Sequence, residues 1–473
     1  MKKYTAFIKA AAPAAFLLTA FLLPLPAAAP DDGLKKISVE DALRIALENN
    51  RDYSIALGRM GQAREKVNAA WGQLMPALES EAALTRQYAE NGFMSLSDGQ
   101  YDIKFAQLRF GINPGVFYNS LQLTKKAYVV AKEEVRRVRS DIEYRVIESY
   151  FNLLLAAEMT LLRNDSLEVL KSNLRDVENL YKTGSVPKLE LLQARVQYRS
   201  QEPLVLEAES NRRVALDIFN YTLGSDRPAY TVDAKVLENA VRAVSRDDGE
   251  VKREALTALA LKNRPEIIQI EKKREIAGHG ENAAGSYYLW PTFSVGGYYG
   301  MTKYQPNPVD VGLPPGPVTP DFSQISGSDR WQRTWQVRMA ATYRWGALFP
   351  TDPSRALERE EKLKVKEAEE ELLKLKRFIA ISISLSYSKL GTAYLTILSQ
   401  RENVQTAREG LRIARESYRA GVIKNADLLA AELSLTNART GYINAVNAYY
   451  TALAALKRET GADIDTIILE DKK

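Results

Sequence analysis

Two stretches far apart in the chain carry one pattern. Tyr181, Gly184, Glu190, the pair Leu191-Leu192 and Ala194 recur at the same spacing as Tyr418, Gly421, Asp427, Leu428-Leu429 and Ala431. The match extends around them, in one register from Ser149-Tyr150 with Ser386-Tyr387 to Gly224 with Gly461. Self-similarity at a fixed offset is the signature of a duplicated architecture. At 473 residues a compact chain would split into two or more cores. An elongated duplicate need not.

Each half opens on a helical pattern and then changes period. Ile37 to about Trp71 reads as one amphipathic helix, with Ser38 as its cap and Asp41 three residues later. Its echo runs from Glu254 toward Tyr288, with Asn50-Arg51 matched to Asn263-Arg264 and Pro76 to Pro291. Beyond the prolines the spacing falls to two: Phe293, Val295, Gly297 and Tyr299, then Trp335, Val337, Met339, Ala341, Tyr343 and Trp345 with polar residues between. Alternation of this kind makes strands with two unlike faces. The first half supplies Leu78 to about Tyr88 and Tyr101 to Phe110, so four strands are expected, in hairpins over about 78–110 and 292–346. Polar loops, Ala89 to Gln100 and Tyr304 to Arg330, join them.

A very long helix follows each hairpin, from about Val116 to Tyr181 and from about Ser354 to Tyr418. At 1.5 Å per residue each spans about 100 Å, longer than any globular core requires. Leu167, Leu170, Leu174, Val177 and Tyr181, and in the second copy Val404, Ala407, Leu411, Ala414 and Tyr418, step by threes and fours, which is a coiled-coil seam. After each turn the pattern resumes, as in Leu428, Ala431, Leu435, Ala438 and Tyr442, so a returning helix packs antiparallel. The expected organisation is a first repeat over 30–224, a linker over 225–249, a second repeat over 250–461 and a tail over 462–473. Tyr230-Thr231-Val232 in the linker and Ile464 to Leu469 in the tail are short apolar stretches suited to small strands or turns beside the helices.

Composition narrows the function. Lys2 and Lys3, an apolar run from about Ala10 to Leu25 and Ala27-Ala28-Ala29 read as a secretory leader over 1–29, the competing reading being an uncleaved anchor. Losing Lys2, Lys3 and Lys9 lowers the formal charge from +6 to +3, which gives no case for nucleic acid as a partner. The chain has no cysteine, excluding disulfides, thiolate metal sites and a lipid-bearing N-terminal cysteine. Past residue 30 no apolar run is long enough for a membrane helix, so membrane entry requires a closed β-barrel.

No catalytic, metal or cofactor site is expected. His279 is the one histidine and stands apart from any acid cluster; Gly296-Gly297 lies within a strand rather than a phosphate loop. Glu190 and Asp427 fall in the first turn of their helices. A carboxylate there complements the helix dipole; repeated by symmetry, it also rings an aperture and favours cations. Trp331, Trp335, Tyr343 and Trp345 bracket the clearest strand, as aromatic belts do at membrane interfaces or as tryptophans do in a sandwich core. Four strands cannot enclose a pore, so the membrane reading requires several copies; three would give twelve strands.

Taken together, Ser38-Val39-Glu40-Asp41-Ala42-Leu43, the Tyr-x-x-Gly turns at Tyr181/Gly184 and Tyr418/Gly421 with the acid and Leu-Leu that follow, and the hairpins between long helices resemble the TolC-like outer-membrane efflux proteins of Gram-negative bacteria. That resemblance covers nearly the whole mature chain. It implies a mainly helical homotrimer: four strands per chain in a shared twelve-stranded barrel in outer-membrane lipid, and a coiled-coil α-barrel crossing the periplasm. Linker and tail would form a belt around it. The turns carrying Tyr181, Gly184, Glu190, Tyr418, Gly421 and Asp427 would form a closed tip, opened by a periplasmic adaptor and an inner-membrane pump of RND or ABC type. The chain would be a passive duct, not an enzyme, for small toxic molecules or, as in type I secretion, for polypeptides. A secreted coiled-coil scaffold without a pore is the reading from another class. This chain departs from the family at Ala430, where a second acid is common, and at Ile423, where an arginine occurs.

Overall fold

A computed structural model describes residues 34–85, 97–226, 229–232, 253–306, 330–345 and 349–461. The leader, the short strand or turn expected in the tail, and the outer parts of both hairpin loops lie outside the described residues. The element order is β1 (Lys35–Ile37), α1 (Val39–Asn49), α2 (Arg51–Gly72), β2 (Ala77–Thr85), β3 (Ser97–Ile112), α3 (Pro114–Lys182), α4 (Lys188–Thr222), β4 (Tyr230–Val232), α5 (Arg253–Asn263), α6 (Pro265–Leu289), β5 (Thr292–Pro306), β6 (Gln332–Thr342), α7 (Pro353–Arg419) and α8 (Asn425–Thr460). The helix over Ile37–Trp71 is corrected in two ways: Ile37 belongs to β1, which pairs in parallel with β4, and the helix breaks at Asn50.

The breaks have local causes. Asn50 is extended, and its side chain accepts from the Asp52 N–H at 2.9 Å, capping α2. In the second repeat Pro265 drives Arg264 out of helical geometry and starts α6 at its first position. The repeats therefore align with Asn49 on Asn263, one residue from the Asn50-on-Asn263 match expected from the sequence. Gly224 and Gly461 confirm this register. Both have positive φ, at 78° and 65°, and the first packs on Asn49, the second on Asn263.

Both long helices begin alike. Asn113 Oδ1 accepts from Val116 N at 3.1 Å and Asp352 Oδ1 from Ser354 N at 2.8 Å, each followed by a proline at the first helical position. The helices run for 69 and 67 residues, about 100 Å each. α3 packs against α4 and α8, and α7 against α8, so the order across the layer is α4, α3, α8, α7. Val177 and Leu411 are buried in the hairpin seams, as is Leu435.

The cores repeat as well. Ala42, Ala46, Ile142, Val146 and Phe219 are buried together in the first half; Leu256, Ala260, Ile379, Ile383 and Leu456 take their places in the second. Among the described residues the first core is larger, with β1 and β4 covering it: Tyr150, fully buried, donates its hydroxyl to Ile37 O at 3.3 Å. Its repeat mate Tyr387 stays 39% exposed.

The strands form one antiparallel sheet in the order β2-β3-β5-β6. Directly paired residues share a face. One face carries Leu78, Leu108, Val337, Val295, Met339, Phe293, Tyr299 and Trp335; the other carries Glu79, Arg109, Gln107, Asp102, Thr302, Thr334 and Arg338. The apolar face is bare in this chain: Trp335 is 74% and Met339 77% exposed. β6 ends at Thr342, short of the expected Trp345, because its partner Thr292 follows Pro291, which has no N–H to extend the ladder. Tyr343 and Trp345 instead meet edge to face at 5.2 Å beyond the strand. Within one chain the sheet is open, with β2 and β6 at its free edges. No described helix is long and apolar enough to cross a membrane.

Candidate functional site

At the far end of the helices from the sheet, the two turns are built the same way. α3 ends with Gly184 at φ 74°, its N–H bonded to Tyr181 O at 3.0 Å and Ser185 N to Leu180 O at 2.9 Å. α7 ends with Gly421 at φ 72°, with Gly421 N on Tyr418 O at 3.0 Å and Val422 N on Ser417 O at 2.9 Å. Glycine takes this left-handed position without strain, which is why the turn motif contains it. Neither glycine has an atom near its missing Cβ, so the requirement is one of backbone conformation.

The matched acids then diverge. Asp427 is exposed, and its Oδ2 accepts from Lys424 N at 3.2 Å. The residue matched to Lys424 is Pro187, which lacks that N–H, so Glu190 cannot cap its own helix in the same way. Glu190 acts across the repeats instead. Burial raises the pKa of the Tyr418 phenol, and the negative charges of Glu190 and Asp176 push it further up. The Tyr418 hydroxyl is enclosed and has no hydrogen-bond partner among the described residues. Tyr181, its repeat mate, is 39% exposed.

The structure adds two residues that sequence reasoning passed over. Asn173 and Asn425 exchange amide hydrogen bonds at 2.7 and 3.2 Å, and Asn425 is 1% exposed. The sequence signal was slight: Asn173 is a polar residue beside Leu174 in an otherwise apolar seam. Neither asparagine is repeated, since Gly410 and Lys188 occupy the matching places. Nearby, each hairpin is tied by one ion pair of opposite polarity, Glu178 with Arg195 at 3.5 Å and Arg415 with Glu432.

Of the residues singled out from sequence, the fold thus brings Tyr418 and Glu190 together, leaves Asp427, Tyr181, Gly184 and Gly421 on the exposed turns, and holds Trp331, Trp335, Tyr343 and Trp345 at the opposite end. Among the described residues no cluster of His, Asp or Glu has the makings of a metal site. His279 Nδ1 lies 3.1 Å from Asn119 Oδ1, and burial is the main cause of its lowered pKa.

Comparison with known proteins agrees across the chain. Residues 42–218 and 256–462 match the family model described as "Outer membrane efflux protein". A probable outer membrane lipoprotein, SilC of Salmonella typhimurium, is 25% identical over 245 residues, 52% of this chain. The match spans about half of that relative, 51% of its length. Among solved structures, the Campylobacter jejuni CmeC outer membrane channel superposes with a TM-score of 0.73 at 18% identity, over 92% of this chain and 89% of that one. The outer membrane protein VceC of Vibrio cholerae gives 0.70 at 15% identity, over 90% and 96%. At these identities the structural likeness speaks to the fold.

Proposed function

The chain belongs to the outer membrane efflux protein family, and we propose that three copies of it form a passive exit duct. In this reading the duct crosses the outer membrane and the periplasm of a Gram-negative cell, after export directed by the leader over 1–29. The chain is a channel component rather than an enzyme. The observation that carries the reading is the sheet: four strands with one apolar face, one polar face and two free edges, on top of helices about 100 Å long. Three such sheets joined edge to edge make twelve strands, lipid outside and water inside. β6, at 11 residues, has the length a tilted strand needs. Trp331 and the Tyr343/Trp345 pair at its two ends suit the interfaces. With no cysteine to carry a lipid, the barrel itself holds the protein in the membrane.

The helical layer supports the same side-by-side assembly of copies. Its outer members have unpartnered apolar stripes, Leu206, Val214, Ile218 and Tyr221 on α4 and Phe378, Ile381 and Leu385 on α7, all at least half exposed. Packing α4 of one copy against α7 of the next buries both. The repeats, 30–224 and 250–461, then supply six turns around the tip. Tyr418, Glu190, Asn173 and Asn425 keep the second hairpin against the first, which is a closed state. A periplasmic adaptor docking at the turns, with an inner-membrane pump of RND or ABC type, would shift the hairpins apart, and the pump would provide the transport energy.

The test combines location, mass and transport. Expected are retention in outer membranes until detergent is added, a trimeric mass in detergent, and increased dye accumulation in cells lacking the gene. Release without detergent, or unchanged accumulation of every compound tried, would overturn the reading.

A further inference from the structure

One charge on the polar face of the sheet has no counterpart. Glu79 is bonded by Arg109, Glu81 by Lys104 at 2.9 Å, and Asp102 accepts from Thr302 Oγ1 at 2.7 Å. On β6 that face presents Gln332, Thr334, Gln336, Arg338 and Ala340, so Arg338 is its single charged residue. Arg338 is exposed and pairs with no described residue. It also lies on a free edge. The opposite free edge, β2, shows the polar face two carboxylates, Glu79 and Glu81, and no cation.

Strand stagger decides which carboxylate Arg338 would meet. The row Ala77, Arg109, Gly296, Arg338 is where β2 begins, whereas β6 continues four residues further, to Thr342. The helix-side ends of the strands therefore climb by four residues over the three pairings from β6 to β2. One more pairing at the same slope adds about one residue, which puts the end of β6 of a neighbouring copy level with Leu78. Thr342 then pairs with Ala77 or Glu79, the two nearest residues that share its face. Counting four residues back from Thr342 brings Arg338 level with the span Glu81 to Ala83. Side chains alternate between faces, and Glu81 is the charged member of that span on the polar face. Its side chain is 47% exposed despite Lys104, so a carboxylate oxygen is open to a second cation.

We propose that Arg338 pairs with Glu81 of the next protomer and so sets the register in which the shared barrel closes. This rests on the reading of three copies in one barrel. A one-residue slip at the seam would turn apolar side chains into the lumen and is prevented by the faces alone. A two-residue slip keeps the faces, and the ion pair is what discriminates against it.

The cysteine-free chain allows a direct test. Native mass spectrometry of the detergent-solubilised full chain comes first: a particle that is not trimeric overturns the shared barrel, and this pairing with it. In a trimer, Arg338→Cys combined with Glu81→Cys is expected to give a covalent trimer on oxidation, whereas Arg338→Cys with Leu84→Cys, on the opposite face, gives monomer. Cross-linking of Arg338→Cys only with Glu79→Cys or Ala83→Cys, or with none of them, overturns the pairing while leaving the barrel standing. Independently, Arg338→Glu should lower the temperature at which the trimer dissociates in detergent, and adding Glu81→Arg should restore it. Failure of the swap to restore it also counts against the pairing.

Discussion

The side-chain amides of Asn173 and Asn425, 252 positions apart, bond to each other in both directions and join the two helical hairpins at the tip. Removing Asn173 leaves the buried Asn425 amide without its partner, at a cost of about 1–3 kcal/mol, and removing Asn425 strands the half-buried Asn173 amide. Asn425→Ala is therefore expected to loosen the closed tip and admit a large polar dye that intact cells exclude. Asn173→Ala should do the same, and the double variant no more than either, because one interaction is lost in each case. Additive leakage would show that the two residues act separately.

If the tip is closed as proposed, Tyr418 should make it sensitive to alkali. Its phenol titrates above the ordinary tyrosine value because burial, then Glu190 and Asp176, oppose the phenolate. A raised folded-state pKa means the neutral form supports the closed packing fully below about pH 10, and that support is lost as pH rises through the shifted value. Channel conductance of the purified protein should therefore rise at high pH, and Tyr418→Phe, which cannot ionise, should flatten that part of the profile. A Phe variant with the wild-type alkaline rise would place the transition on another group.

Asp427 has two candidate roles that substitutions separate. Asp427→Asn keeps an oxygen able to accept from Lys424 N–H but removes the charge; Asp427→Ala removes both. If the acid rings the aperture, both variants lose cation preference in planar bilayers, which is the expected result. Unchanged selectivity in both, with only the alanine variant unfolding earlier, would confine Asp427 to helix capping.

Gly224 should tolerate alanine less well than Gly461. Both have positive φ, but a Cβ on Gly224 would lie 2.6 Å from the Asn49 carbonyl oxygen, against 3.4 Å for the closest atoms at Gly461. The left-handed conformation costs about 1 kcal/mol in either variant; the backbone clash is specific to Gly224. Thermal unfolding should order them Gly461→Ala above Gly224→Ala.

Arg264 ties the start of the second repeat to its end through charge. Its side chain is 7% exposed and bonds Glu459 at 2.9 Å and Glu266 at 3.2 Å. Arg264→Met leaves Glu459, 13% exposed, with only Arg458 at 3.5 Å, an expected loss of about 1.5–3 kcal/mol. The first-repeat counterpart is neutral, Asn50 Nδ2 on Thr222 O at 3.2 Å, and Asn50→Ala should cost about 1 kcal/mol. Equal losses at the two joints would contradict the difference in burial and charge.

Much of this protein was determined by its sequence alone. Periodicity and duplication specify the long helices, the hairpins and the Tyr-x-x-Gly turns, because a helix repeats every 3.6 residues, a strand every two, and a left-handed turn selects glycine. Local rules specify the helix starts at Asn113-Pro114 and Asp352-Pro353. Other features depend on which elements meet. The break at Asn50 was hidden because asparagine is only a weak interrupter until its side chain caps the next helix. The end of β6 at Thr342 depended on Pro291 in the opposing strand. At the tip, Asn173 and Asn425 have no motif and no repeat, and Glu190 matches Asp427 in sequence while facing Tyr418 in space. Those relations arise where the two halves of the duplication pack side by side. Equivalent positions there have different neighbours, and only the tertiary structure decides which of them is buried, bonded or left to water.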